Sequence, residues 1–247
     1  MLETFIDAPQ RHKSLTVFPV IAPQGPILPY LLSTEIGGTG ALTLRERGGE
    51  TATMLLARNN SLHALLILEG EPLPGGSPGR LVERSILLAG KRVTQIPPSS
   101  RESGGWVSPD QEAEITEWLE SFPFHPQQVG LLAFHGSRML GLEALGAANL
   151  YSLLHRRLLI RFLKEALTDR NHAGGDSAAL EAEAQHTVDA IENADRIATK
   201  RVGLGDYRSL VGTVSGGELI HEGHLVHLSV RPAPVGAAAT QPARGVS

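Results

Sequence analysis

The stretch from Leu66 to Trp106, LILEGEPLPGGSPGRLVERSILLAGKRVTQIPPSSRESGGW, constrains this chain more than any other. It sets an apolar strand, an acidic turn, a Gly/Pro loop, two more apolar runs and a polar loop in quick succession. Short apolar runs bounded by Gly and Pro read as strands. The polar side chains are concentrated in the two loops, so those loops are the first place to look for a site.

The same texture continues to either side. Leu15 to Val20, Thr51 to Ala57 and Ala64 to Glu69 are short apolar runs, Leu42 and Leu44 alternate with polar neighbours, and Gly37, Gly38, Gly40, Gly48 and Gly49 punctuate turns. These spacings suit antiparallel pairing. Ser85 to Ala89 and Lys91 to Ile96 extend the pattern, with Ala89-Gly90 expected as a hairpin turn. Val129 to Phe134 and Arg138 to Leu145 read as a further hairpin around His135-Gly136-Ser137.

Helical signals enter later. Ser108 before Pro109, with Asp110, Glu112 and Glu114 in the first turn, predicts a helix over 109–122. From Asn149, Leu150, Leu153, Leu154, Leu158 and Phe162 recur at three- and four-residue intervals, which places them on one face of a helix near 149–168. Its basic residues, Arg156, Arg157, Arg161 and Lys164, form either a solvated face or an anion-binding patch. Leu180, Ala184, Val188, Ile191 and Ala198 outline another helix near 177–199. Strand character returns over 207–231, and the Ala/Gly/Pro-rich residues 232–247 have little to bury and are expected to form a disordered tail. The expectation is an α+β fold in one domain over residues 1–231: a mostly antiparallel β-rich body, with core strands in 12–106, and two helices of the second half packed on it.

Composition bounds the function. With 41% apolar and 19% charged residues and a formal charge of −4, the chain is that of an ordinary globular protein. Aromatic content of 4% and scattered basic residues supply neither stacking platforms nor a phosphate stripe, so nucleic acid is not an expected partner. The absence of cysteine rules out disulfides, thiolate metal sites and a cysteine nucleophile. No run is long enough to span a membrane, and the start MLETFIDAPQ carries acids, which together give a cytoplasmic expectation.

Several segments together resemble one family. They are Leu15 to Val20, Leu68-Glu69-Gly70-Glu71, Gly75 through Arg80, Ile86-Leu87-Leu88, Ile96-Pro97, Glu102-x-Gly104-x-Trp106, Val129-Gly130, and Gly216 through Leu228 with its Val-His-Leu ending. The pattern resembles the bacterial and archaeal ARG and Rhodanese-Phosphatase-superfamily-associated protein domain. That family pattern has a Gly-Glu after a strand, a Gly-Ala-x-Gln-Asn-Arg loop and an Ile-Pro-x-Ser-Cys-x-Glu-x-Gly-Arg-Trp loop. Glu71, Arg80, Ser99, Glu102 and Trp106 match it without a gap, while Pro78, Gly79, Ser100 and Gly105 replace its Gln, Asn, Cys and Arg. A serine hydroxyl at position 100 can keep a hydrogen bond but not the chemistry of a thiolate. The family's gene neighbourhoods imply a role near NAD- or ADP-ribose-like molecules.

Glu71, Arg80 and Glu102 are the leading constellation. Two carboxylates and a guanidinium on converging loops either bind a sugar phosphate or supply an acid and a base, with Glu71 and Glu102 the catalytic candidates; alternatively they tie one loop to the other. Gly75, Ser99 and Ser100 complete the candidate ligand-binding set, Gly75 through a Gly-rich loop that is either a phosphate cradle or a plain connection. His221 and His224, flanking a Glu222-Gly223 turn, sit opposite each other and form a two-ligand metal candidate or an exposed pair. His227 falls on the other face and is a candidate buried histidine. Trp106 and Trp118 read as core anchors. No cofactor is expected, and the functional expectation is a phosphate- or ribose-containing small-molecule ligand, the alternative being a non-catalytic protein partner for a fold that lost the family's polar site.

Overall fold

The computed structural model describes residues 4–22, 26–36, 39–47, 54–72, 81–96, 109–168 and 176–234. In chain order the strands are β1 (Phe5–Ile6), β2 (Gln10–His12), β3 (Leu15–Ile21), β4 (Leu31–Leu32), β5 (Leu42–Arg47), β6 (Met54–Asn59), β7 (Leu65–Ile67), β8 (Ile86–Leu88) and β9 (Val93–Ile96). Helix α1 (Pro109–Glu120), strands β10 (Gln128–His135) and β11 (Arg138–Leu145), and helices α2 (Ala148–Thr168) and α3 (Ser177–Asn193) follow. The chain then returns to strands β12 (Asp195–Ala198), β13 (Asp206–Val211), β14 (Val214–His221) and β15 (His224–Pro232). The α+β expectation holds.

Nine strands form one antiparallel sheet in the order β1-β3-β10-β11-β15-β14-β13-β12, with β2 also paired to β3. Every residue of β10 is buried, which requires cover on both faces of the sheet. On one face α2 presents Leu150, Tyr151, Leu154, Leu158 and Phe162 to Leu131, Ala133 and Leu145, joined by Trp118 and Phe122 at α1. On the other, Leu180, Ala184 and Ile191 of α3 meet Phe18, Leu132, Phe134 and Leu142.

The third helix is shorter than its sequence pattern suggests, because residues 195–198 are strand rather than helix. Ala194 is extended, and Arg196 donates to the carbonyl oxygens of Ile191, Glu192 and Ala194, occupying last-turn acceptors that a continuing helix would need. Asp195 to Ala198 then pair with β13.

Ala89-Gly90 is not a hairpin turn either. Strand β8 pairs with β7, whereas β9 pairs with β6, so β6-β7 and β8-β9 are the two legs of one long hairpin bent in the middle. The bend is pinned by Asn59, whose side-chain amide donates to His63 O and Leu88 O, and by Lys91 N–H on Ser61 O. A β-carbon at Gly90 would lie 2.3 Å from Leu62 O, so only glycine lets the two corners touch. Beyond β7 and before β8 the described residues Leu68 to Pro72 and Leu81 to Ser85, the hairpin tip below, are bridged at Pro72 and Leu81.

The hairpins at His135-Gly136-Ser137 and Glu222-Gly223 form as read from the sequence, the latter with both turn residues at positive φ. Ser108, the expected helix cap, and residues 235–247 lie outside the described residues. No described helix is long and apolar enough to cross a membrane.

Candidate functional site: a polar floor beneath the hairpin tip

Alternation along β15 puts His227, Ser229 and Arg231 on one face of the sheet, where Ser229 stands beside Glu143 of β11 and His227 beside Leu145 and Leu219. Two glycines hollow this face. A β-carbon at Gly141 would meet the Arg231 guanidinium at 2.5 Å, and one at Gly217 would meet the Tyr207 hydroxyl at 2.1 Å. Long side chains therefore lie across backbone where a pleated sheet would otherwise be filled.

Glu143 is the centre of the floor and is fully buried. Its Oε1 accepts from Arg231 Nη2 at 2.6 Å and Ser229 Oγ at 3.1 Å and is ion-paired with Arg161 Nη1 at 3.1 Å, and Oε2 accepts from His227 Nε2 at 2.9 Å. Burial by itself would raise this carboxyl. The His227 hydrogen bond and the charges of Arg231 and Arg161 outweigh it and hold the group at about 2.

From Glu143 a chain of bonds climbs to the hairpin tip. His227 Nδ1 lies 2.8 Å from Ser85 Oγ, and Ser85 Oγ accepts the Glu69 N–H at 2.9 Å. With that lone pair occupied, the serine hydroxyl hydrogen goes to Nδ1, leaving Nε2–H for Glu143. A buried Ser-His-Glu line of this kind looks like a nucleophilic triad, but Ser85 is itself buried and its oxygen already holds a backbone amide. Its work is to fix the tip over the floor.

The tip meets α2 through two arginines one helical turn apart. Arg157 Nη1 is 3.1 Å from Glu71 Oε1, while Glu71 Oε2 accepts from Leu68 N–H at 3.1 Å and from the Ser33 hydroxyl. Arg161 reaches past Gly70, whose positive φ leaves room for the guanidinium 3.1 Å from where a β-carbon would sit. The basic face of α2 is thus divided: Arg156 and Lys164 are exposed, and Arg157 and Arg161 clamp buried carboxylates. The guanidinium side chains keep 37% exposure at Arg157 and 32% at both Arg161 and Arg231. Each also has N–H donors that no described residue takes.

Glu69 completes the group. It is half-buried, and its carboxyl has no hydrogen bond or ion pair among the described residues. Burial and then the Glu143 charge push it above the ordinary carboxyl value, against the opposing pull of His227, Arg231 and Arg161. Tyr207 lies close by; burial and then Glu69 hold its phenol above the ordinary value. The Tyr207 ring, with the Arg84 guanidinium 5.6 Å from its centroid, also lines a cleft of about 410 Å³ shared with Val82, Ile86, Ile96 and Ser209.

Of the residues singled out in the sequence, Glu71 belongs to this group, with Arg157 as its partner. Gly75, Arg80, Ser99, Ser100 and Glu102, with Trp106, lie outside the described residues. His221 and His224 are cross-strand partners, His221 half-buried beside the Tyr30 ring and His224 exposed. Among the described residues no three His, Asp or Glu side chains gather as a metal site. His227 is buried, as read from the sequence, and bonds Ser85 and Glu143. Trp118 is a core residue as expected.

Sequence reasoning missed Glu143, Arg231, Ser85 and Glu69 as site members. The available signal was Glu143 itself, a single charge inside the apolar run Leu140 to Leu145, since a charge is almost never buried unless paired. A search of curated proteins and a search of solved structures each found no match. The profile of the ARG and Rhodanese-Phosphatase-superfamily-associated Protein domain matches residues 3–112 and 107–231, which include the strand, turn, floor and helix just described. The chain belongs to that family.

Proposed function

We propose that this protein binds a phosphate- or ribose-containing small molecule, of the NAD or ADP-ribose kind, on the α2 face of its large sheet beneath the hairpin tip. The observation that carries the reading is the trio Arg157, Arg161 and Arg231. Each guanidinium is anchored at one edge by a buried carboxylate and keeps donors and about a third of its surface open. A guanidinium held in place loses little further freedom when it takes up a phosphate, and its planar donor fork suits phosphate oxygens. Glu69 adds a carboxyl without a partner among the described residues, suited to a ligand hydroxyl. The family's gene neighbourhoods point toward the same ligand chemistry.

A thermal-shift screen against ADP-ribose, NAD, nucleotides and sugar phosphates tests this, run on the wild type, Arg157→Gln and Arg161→Gln. A ligand that binds only the folded state raises Tm with the logarithm of its concentration. The expected result is a shift with one phosphate-bearing class that both variants reduce. No shift with any of them, from a protein that melts cooperatively, would overturn the reading and favour a protein partner.

A further inference from the structure

The turn Leu68-Glu69-Gly70-Glu71 places its two carboxyls in opposite circumstances. Glu71 is buried and committed to Arg157, Ser33 and the Leu68 amide. Glu69 has a fixed backbone, its N–H on Ser85 Oγ, and a side chain with no partner among the described residues. Polar groups removed from water are nearly always bonded, so a half-buried carboxyl that no described residue bonds calls for an explanation.

Its surroundings supply one. Facing Glu69 are Glu143 from β11, His227 and Arg231 from β15, Arg161 from α2 and Tyr207 from β13. Glu143 is committed to three hydrogen bonds and the Arg161 ion pair. Arg161 and Arg231, the guanidiniums that act on Glu69, have donors that no described residue takes, so an anion bound to them comes within the field of the Glu69 carboxyl.

We infer that Glu69 is a direct contact of that anion, donating its carboxyl hydrogen to an anion oxygen, so that the site fills while Glu69 is protonated and empties as it ionises. This rests on the proposal that the arginines form an anion site. A protonated carboxyl gives a charge-assisted O–H···O⁻ bond; an ionised one presents a second negative charge to the ligand instead. Burial and Glu143 move Glu69 upward, so the switch falls above the ordinary carboxyl range. Glu143, held at about 2, stays ionised through that interval, and Tyr207, held above its ordinary value, stays protonated. Neither contributes to the change.

Sulfate is the suitable probe, because it keeps its double charge at every pH used. Its affinity is measured by calorimetric titration at fixed ionic strength and stepwise increasing pH, from mildly acidic to mildly alkaline, for the wild type and Glu69→Gln. The expected result is a wild-type affinity that falls about tenfold or more with rising pH, and a flat profile for Glu69→Gln, whose amide stays neutral and still donates. Parallel falls in both proteins, or flat profiles in both, overturn the role of Glu69 and leave the arginine site standing. Sulfate binding to neither protein at any pH overturns the anion site and the inference with it.

Discussion

The two faces of the large sheet are built on different terms. Beneath α3 the core is apolar, with Phe18 and Phe134 edge to face at 5.8 Å and Leu132, Leu142, Leu180 and Leu210 around them. Among its buried polar groups, Thr187 bonds within its own helix and touches Met139 Sδ, and Glu218 pairs with Arg196 and Arg208. Beneath α2 the same sheet buries Glu143, His227 and Ser229, bonded together and, through His227, to Ser85 of the hairpin, with the Glu71–Arg157 pair beside them. Ionic networks of this sort are often no more stabilising than apolar residues of similar volume. The α3 face shows that this sheet can be covered without one, so the α2 face has been shaped by something other than stability.

Phe134→Ala on the α3 face should cost about 3–5 kcal/mol through a cavity, read by denaturant unfolding, with ligand affinity of the folded protein unchanged. Glu143→Ala should cost a similar amount, about 3–5 kcal/mol, because it leaves two guanidiniums and His227 without their acceptor, but it should abolish ligand binding as well. Loss of binding in both variants would erase the distinction between the faces.

Acid separates the two faces further. Glu143 has its folded value depressed from 4.5 to about 2, so its contribution is complete above the unfolded value and lost as pH falls toward the folded one. Wild-type stability should therefore drop over that interval. Glu143→Gln should flatten this part of the profile, whereas Phe134→Ala should shift the whole profile down without changing its shape.

Smaller effects belong to the floor. Gly217→Ala would place a β-carbon 2.1 Å from the Tyr207 hydroxyl and should cost about 1–3 kcal/mol by overpacking. Glu69→Gln removes no hydrogen bond or ion pair to a described residue and relieves a carboxyl that the fold disfavours in its ionised form, so denaturant unfolding at neutral pH should show equal or slightly higher stability. A large loss would mean that Glu69 has a structural partner and is not waiting for a ligand.

Much of the fold was legible because its signals are local. The period of α2, Pro109 at the start of α1 and the Glu222-Gly223 turn each dictate their structure within a few residues. The misreadings were decided by distant contacts. Ala89-Gly90 fails as a hairpin because Leu62 and Ser61 meet it from the other leg, and residues 195–198 become strand because β13 offers a partner. The site was legible at Glu71, at His227 as a buried histidine and, as one of two readings, in the basic residues of α2. Its members come from the turn residues flanking β7 and β8 and from β11, α2 and β15, and nothing in the spacing of Ser85, Glu143, Arg161 and His227 announces that they meet. The resemblance to the family marked the segments around Glu69, Ser85 and His227 without saying which side chains face the floor.

The most direct test of the account is a calorimetric titration of ADP-ribose, which offers both phosphate and ribose, into the wild type and Arg157→Gln. In that variant Glu71 keeps its Ser33 and Leu68 bonds, so the hairpin tip stays seated. Saturable binding by the wild type that weakens about tenfold or more in the variant is the predicted result. Equal affinity in the two, or no saturable binding by the folded wild type, would contradict the claim that the α2 face holds a ligand site.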